Sequence, residues 1–191
     1  MSDRRLAARC AAALIVTAVA ASFPASLAAA EPAAPGNAVE RGTFLVTLGG
    51  CNDCHTPLRM GPKGPEPDAT RLLSGHPAKL VLPPPPAPQG PWVWFGAASG
   101  TAFAGPWGVS YAANLTPDEA TGLGSWTEAQ FISAMRTGRH LGNGRPILPP
   151  MPWQGLAHMT DADLKAIFAY LRSVPAIQNA APESVVAAAP K

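Results

Sequence analysis

The segment GGCNDCHTP, residues 49–57, decides most of what this sequence predicts. It places Cys51 and Cys54 three positions apart and His55 directly after the second cysteine. Three kinds of site use such a cysteine pair: a zinc site, a redox-active dithiol and the attachment point of a haem. The rest of the chain has to distinguish among them.

The zinc and dithiol interpretations both need features that this sequence lacks. A structural zinc site takes four ligands, commonly from two such pairs, and there is no second cysteine pair. A dithiol enzyme carries C-x-x-C within a βαβ pattern and does not need the following histidine. The pattern C-x-x-C-H is typical of covalent haem attachment. We therefore predict one haem c, with thioethers to Cys51 and Cys54 and with His55 as the proximal axial ligand of the iron.

The first thirty residues have the layout of a secretory signal peptide. Three arginines within the first nine residues precede an apolar run, and small residues follow at Ala28 and Ala30. The run is interrupted too early for a membrane helix of ~20 apolar residues, although an uncleaved anchor is the alternative. We predict cleavage after Ala30, a periplasmic location and no stable membrane insertion after cleavage. The mature chain then retains only the cysteines of the 49–57 segment.

The charge and composition of the chain argue against nucleic acid as a binding partner. Removal of residues 1–30 takes away three of the 14 Lys and Arg and one of the 12 Asp and Glu, which leaves 11 of each. A nearly neutral chain without a basic run is not predicted to bind nucleic acid. Charged residues are 14% of the sequence, against a usual ~25%. The 23 prolines and 18 glycines indicate long irregular connections.

Helices are the only regular elements that the sequence predicts. A first helix is expected over 37–50, with a close backbone contact at Gly42, and two more begin after the capping residues Thr127 and Thr160. The proline-rich stretch 56–113 is not expected to form regular sheet or helix. The predicted fold class is therefore all-α with long Pro/Gly-rich loops. The predicted organisation is a signal peptide (1–30), a linker (31–37), one domain (38–175, with a Pro/Trp-rich insertion at about 76–110) and a flexible tail (176–191).

The iron of a covalent haem usually takes a second protein ligand. Met151 is the strongest candidate because it lies in the segment GRPILPPMPWQG (144–155), where prolines on both sides restrict the loop. Met60 is too close to His55 in the chain, and Met135 and Met159 suit packing positions on helices. Three histidines remain as alternatives for this role or as surface or propionate-neighbouring residues: His76, His140 and His158. Arg139 and Arg145 flank the loop as candidate partners of the haem propionates.

Five segments together resemble a class I c-type cytochrome domain: GGCNDCHTP, NLTPDEATGLGSWTEAQF (114–131), MRTGRH (135–140), RPILPPMPW (145–153) and MTDADLKAIFAYLRSVP (159–175). More narrowly, they are similar to the domains of the cytochrome subunits of periplasmic alcohol and gluconate dehydrogenases. The resemblance implies the cytochrome c fold, a distal ligand at Met151, and a crossing of the 37–50 and 161–173 helices near one haem edge. Unlike those subunits, this chain carries one attachment motif, and Met151 follows His55 at a distance of 96 positions in the sequence.

The predicted function is that of a periplasmic electron carrier and not of an enzyme. It would pass single electrons between a dehydrogenase or quinol-oxidising complex and a terminal acceptor such as an oxidase. The alternatives are a haem enzyme or gas sensor with an open or labile sixth coordination site, and an obligate subunit of a dehydrogenase complex. Four aromatic residues of the insertion are expected either to roof the haem or to dock a partner: Trp92, Trp94, Phe95 and Trp107.

Overall fold

Two long helices, one near each end of the described chain, form the centre of the fold. The computed structural model describes residues 35–87 and 90–187, all within the compact unit Pro32–Lys191. The predicted signal peptide, residues 31–34 of the predicted linker and residues 188–191 of the predicted tail lie outside the described residues, and these assignments stay predictions. Within the described ranges, no helix is both long and apolar enough to cross a membrane.

Five α-helices carry the core. They are α1 (Pro35–Leu48), α2 (Cys51–His55), α3 (Glu128–Thr137), α4 (Trp153–Leu156) and α5 (Asp161–Ser173). Short 3-10 helices lie at Ala69–Arg71 and His140–Gly142. The buried apolar side chains of α1, α3 and α5 form one cluster, in which the ring centroids of Phe131 and Phe168 are 5.2 Å apart.

The ends of α3 and α5 confirm the predicted capping. Thr127 and Gln130 form a reciprocal capping box, with the Gln130 N–H donating to the Thr127 hydroxyl at 3.2 Å and the Thr127 N–H donating to Gln130 Oε1 at 2.9 Å. Gly138 ends α3 with a φ of 65°, in the left-handed region that glycine adopts freely. The Thr160 hydroxyl accepts from the Asp163 N–H at 3.1 Å and begins α5. Each cap satisfies a backbone group that the helix leaves free.

The close backbone contact expected at Gly42 is present and joins α1 to α5. A Cβ atom at this position would lie 2.0 Å from the Ala166 carbonyl oxygen and 2.7 Å from the Tyr170 Cβ. Only a residue without a side chain lets the two backbones approach so closely. The close approach of the two helices at this point therefore requires a glycine.

The prediction of an all-α fold is wrong. The described residues contain six short strands in two antiparallel sheets. The first sheet pairs β1 (Leu58–Gly61) with β2 (Gly64–Pro67). The second has the order β3 (Phe95–Gly96), β4 (Ala102–Gly105), β5 (Gly108–Tyr111) and β6 (Val185–Val186). Five of these strands lie in the stretch 56–113 that was expected to lack regular structure.

The physical reason for this error is the shortness of the strands. None exceeds four residues, which is too few to show an alternation of apolar and polar side chains. The prolines of β2 are accommodated because a two-stranded sheet has only edge strands. Both hairpins turn on a G-P-x-G segment, GPKG at 61–64 and GPWG at 105–108, in which the last glycine takes a φ of 114° or 106°.

Residues beyond α5 return along the body of the protein. Asn179 is 4% exposed, and β6 pairs with β5 in the register Val109 with Val185 and Gly108 with Val186. The segment 176–187, assigned to a flexible tail from the sequence, is hydrogen-bonded to the body at both ends in this structure.

Candidate haem-binding site

The two cysteines and the histidine of the attachment motif lie on the one-turn helix α2. Gly49 and Gly50 separate α2 from α1, and Gly50 turns the chain with a φ of 63°. Both thiols are free and partly buried, and both line one large cavity together with His55. Burial raises the pKa of the Cys51 and Cys54 thiols, so both are protonated at neutral pH.

The His55 ring is held in one tautomer by a backbone carbonyl. Its Nδ1 lies 2.8 Å from the Ala113 oxygen, and since a carbonyl can only accept, Nδ1 carries the proton. The lone pair is then on Nε2, for which no hydrogen bond is found within the part of the chain that the structure describes. Burial lowers the pKa of His55, and the hydrogen bond to Ala113 opposes this effect. A neutral imidazole whose other nitrogen donates to a carbonyl is the usual form of a metal-binding histidine.

The backbone of His55 is fixed as well as its ring. Its carbonyl oxygen accepts from the Gly75 N–H at 2.7 Å. The next residue, Thr56, is fully buried, and its hydroxyl accepts from the Leu73 N–H at 2.9 Å. The loop around residues 71–78 therefore braces α2 from the side.

The cavity has a volume of about 420 Å³, within the range of pockets that hold organic ligands and cofactors. Its walls are mainly apolar and come from α2, α3, β5, the loop around Met151 and the segment 180–184. Helix α3 contributes Phe131, Ala134 and Met135, and Trp126 and Leu123 precede this helix. Such walls would exclude water from a bound planar group.

Met151 lines the same cavity as Cys51, Cys54 and His55. It follows Pro150 and precedes Pro152, the residue before α4. The Pro149 carbonyl oxygen accepts from the Ser110 hydroxyl at 2.6 Å, which ties the loop to β5. The four residues assigned to haem attachment and iron ligation thus share one cavity, and their individual roles remain predictions.

The other candidate ligands divide into two groups. Met135 and His140 also line the cavity. Met135 is buried in the core as expected, and His140 lies edge-on to Trp126 with ring centroids 4.9 Å apart. Burial and the nearby Arg145 cation lower the pKa of His140, while Glu183 opposes them. The remaining four candidates do not line the cavity: Met60, Met159, His76 and His158.

His76 is not the surface residue that the sequence suggested. It is fully buried, with Nδ1 at 2.9 Å from the Thr101 hydroxyl and Nε2 at 3.0 Å from the Leu80 carbonyl oxygen. Both ring nitrogens are therefore engaged in bonds within the insertion, to Thr101 and to Leu80. The two arginines proposed as partners of the haem propionates differ in position. Arg145 lines the cavity, whereas Arg139 does not and donates to the Gly144 carbonyl.

The four aromatic residues that were expected to roof the haem or to dock a partner do not line the cavity. Trp92 and Trp94 are 71% and 47% exposed. Within the insertion, Phe103 and Ser110 line the cavity instead. The roof interpretation is therefore wrong for these four side chains.

Sequence reasoning missed the lining residues of the last segment: Ala180, Ala181, Pro182 and Ser184. Small residues and a proline carry no pattern that indicates burial or cofactor contact. Asn179, which precedes them, follows another amide residue, Gln178, and so gives no distinct signal either.

Comparison with known proteins identifies the relatives of this chain. It is 31% identical over 175 residues to a nicotinate dehydrogenase subunit of Pseudomonas putida, a match that covers 90% of this chain and 12% of the relative. It is 30% identical to the gluconate 2-dehydrogenase cytochrome c subunit of Pantoea cypripedii, over 69% of this chain and 22% of that one. It is 28% identical to the fructose dehydrogenase cytochrome subunit of Gluconobacter japonicus, over 70% and 20%. The chain is a relative of the dehydrogenase cytochrome c subunits. No family model matches it.

The relatedness to cytochrome c subunits agrees with the geometry of the site. The chain spans between about one eighth and one quarter of the length of these three relatives. Two free thiols, a neutral imidazole and a thioether around one apolar cavity are a donor set that suits a covalently attached haem. Within the described residues, no group of three or more His, Cys, Asp or Glu side chains is arranged to hold a metal ion.

Proposed function

We propose that this chain binds one haem covalently through Cys51 and Cys54 and carries single electrons in the periplasm. The observation that carries the proposal is the shared cavity, which brings both thiols, His55 and Met151 together behind apolar walls. Bound haem would supply an iron centre that cycles between the ferrous and ferric states. The protein's residues hold, orient and shield that centre.

Each side chain has a definite task in this proposal. Ala113 keeps the His55 proton on Nδ1 and leaves Nε2 for the iron. Met151 offers a thioether from a loop held by its prolines and by Ser110. A methionine ligand and an apolar surrounding both favour the reduced state and raise the reduction potential. His55 and Met151 would both bind the iron, so little rearrangement would accompany electron transfer, which suits a carrier better than an enzyme.

The experiment that tests the function uses the full chain, exported from a host that attaches haem to C-x-x-C-H motifs. We expect haem to remain with the polypeptide on a denaturing gel, one haem per chain, and a redox titration that fits a single one-electron step. The double variant Cys51→Ser, Cys54→Ser is the control and should lose the haem signal. A wild-type chain that releases its haem on denaturation, or that lacks it, contradicts the proposal.

A role within a dehydrogenase complex is the second candidate. It is supported by the relatives, two of which are cytochrome subunits of dehydrogenases by name and all of which are much longer than this chain. The partner would deliver electrons from an oxidised substrate, and this chain would pass them on. Size-exclusion chromatography of the protein from its native host distinguishes the two: a free carrier elutes as a small protein, whereas a component of a complex elutes with its partners.

The exposed tryptophans of the insertion supply a testable contact with such a partner. Trp92 and Trp94 are large exposed aromatic side chains near β3, and aromatic residues are enriched at protein interfaces. For the double variant Trp92→Ala, Trp94→Ala, we expect at least about tenfold slower reduction by the native partner, since a single interface aromatic can contribute ~2 kcal/mol.

The visible spectrum of this variant should not change, because neither side chain lines the cavity. Met60→Ala is the matched control, since Met60 is 77% exposed on the β1–β2 hairpin, and it should react at the wild-type rate. Equal rates for all three proteins would exclude the tryptophans from docking.

A further inference from the structure

The segment 177–187, which follows α5, is anchored near its start by the side chain of Asn179. The Asn179 Oδ1 accepts from Arg71 Nη2 and from the Ala78 N–H, both at 2.9 Å. Its Nδ2 donates to the Ser74 carbonyl at 2.7 Å and to the His76 carbonyl at 2.8 Å. An amide side chain has two acceptor sites and two donor hydrogens, so Asn179 makes every hydrogen bond available to it. It does so at 4% exposure.

A second anchor lies two residues earlier. The Ile177 carbonyl oxygen accepts from Asn114 Nδ2 at 2.7 Å, and the Ile177 N–H donates to the Thr116 hydroxyl at 3.1 Å. Asn114 and Thr116 are both buried. Asn114 directly follows Ala113, whose carbonyl oxygen orients the His55 ring.

The outer end is held against β5 and the β4–β5 turn by one side-chain hydrogen bond and by backbone hydrogen bonds. The Ser184 hydroxyl accepts from the Tyr111 N–H at 3.3 Å. Strand β6 pairs with β5, and the Ala187 N–H donates to the Trp107 carbonyl at 2.9 Å. The segment is thus fixed at 177–179 and again at 184–187.

The residues between the two anchors line the cavity. Ala180, Ala181, Pro182 and Ser184 all contribute to its wall. Within the described residues, 180–182 make one backbone hydrogen bond, from the Ala181 N–H to the Asn179 carbonyl, and it is local. The position of this part of the wall therefore depends on the anchors on either side.

Asn179 also acts on the residues that hold His55. The Asn179 side chain is hydrogen-bonded to four residues of the loop 71–78: Arg71, Ser74, His76 and Ala78. From that loop the Gly75 N–H donates to the His55 carbonyl at 2.7 Å. The Asn179 side chain therefore connects the cavity wall at 180–184 with the loop 71–78, which supports His55.

We propose that residues 177–187 are a wall of the haem site and that Asn179 is a positioning residue, which keeps this wall closed and the 71–78 loop against His55. The inference rests on the proposed function, since it assigns this segment to the shielding of the haem. Loss of the Asn179 amide should loosen the wall, admit water to the haem and lower the reduction potential, because burial of a haem raises its potential.

The test compares holoprotein with Asn179→Ala and with the control Gln178→Ala. Gln178 is the exposed neighbour of Asn179, and no hydrogen bond of its side chain is found among the described residues. Hydrogen exchange of the peptide covering 177–187 reports the wall, and the midpoint potential reports the haem surroundings. In Asn179→Ala we expect exchange to be at least about tenfold faster, because all four side-chain hydrogen bonds are lost, together with a lower potential. Gln178→Ala should match the wild type in both.

Unchanged exchange in Asn179→Ala, or faster exchange with an unchanged potential, would overturn the inference, because a purely structural anchor does not move the potential. If Asn179→Ala does not accumulate, Ala187→Pro takes its place: it removes the N–H that bonds to Trp107 and opens the outer end without touching the core. The same two criteria apply to it. A wild-type chain without covalent haem overturns the proposed function itself, whereas haem-loaded wild type with an insensitive variant overturns the wall alone.

Discussion

Met151→Ala is expected to abolish the sulfur-to-iron charge-transfer band that the ferric wild-type protein shows in the far red. The band requires a thioether bound to the iron, and Met151 lines the cavity from a loop held by prolines and by Ser110. The midpoint potential should fall as well, within the ~0.8 V range over which axial ligands tune haem potentials. Absorption spectra of the ferric protein and a redox titration measure the two effects.

Met135 provides the matched control because its thioether lines the same cavity and is buried. Met135→Leu keeps the side-chain volume, and such exchanges are tolerated in cores, so the far-red band should persist. A band lost in Met135→Leu and kept in Met151→Ala would reverse the assignment. A wild-type protein without the band would have a nitrogen ligand or an open site, and the haem enzyme or gas sensor would then replace the carrier as the preferred function.

Gly42→Ala is expected to destabilise the protein by about 2–3 kcal/mol, as small-to-large substitutions at tight contacts do. The added methyl would lie 2.0 Å from the Ala166 carbonyl oxygen, which belongs to backbone and cannot rotate away. Helices α1 and α5 must then separate, and the core between them loses contact. Chemical denaturation of the holoprotein measures the free energy of unfolding.

Gly155→Ala is the control for the effect of alanine on helix stability. Gly155 lies in α4, and a Cβ there would meet no atom within 4 Å. We expect this variant to unfold with the wild-type free energy or to gain up to about 1 kcal/mol from the better helix propensity of alanine. Equal losses in both variants would show that the α1–α5 crossing is not the cause.

The elements that the sequence predicted well are those with local signals. Thr127 and Gln130 encode a helix start within four residues, and Gly138 encodes its end, so no information from distant parts of the chain was needed. The motif at Cys51 to His55, whose role in haem attachment stays a prediction, is equally local. Its support is not, because the Ala113 carbonyl that orients the His55 ring lies 58 residues away and contributes only backbone. Because every residue has a backbone carbonyl, the residue type at position 113 does not indicate this contact.

The short strands and the cavity-lining segment near the C-terminus were not predicted, and the physical reason is the same for both. A strand of two to four residues is stabilised by its partner, and its sequence has no room for a period. The repeated G-P-x-G segments were the available signal for the two hairpins, since proline fixes the first turn residue and glycine accepts the positive φ of the last. The segment 177–187 is held by Asn114 and Thr116 at Ile177 and by β5 at its outer end. From its own sequence, without those partners, this segment is predicted to be a flexible tail.

The hydrogen bonds that divide the chain between His55 and Met151 have a consequence for how the fold assembles and tolerates change. The Leu58 N–H donates to the Ser99 carbonyl at 2.9 Å, and the Ser110 hydroxyl reaches Pro149. The long path from His55 to Met151 is thereby divided into shorter loops, which can close one after another. Doubling the length of a flexible loop costs only about 0.6 kcal/mol of closure entropy. Insertions or deletions within residues 81–94 should therefore change the folding rate and stability little, while the distance between the two halves of the site stays fixed.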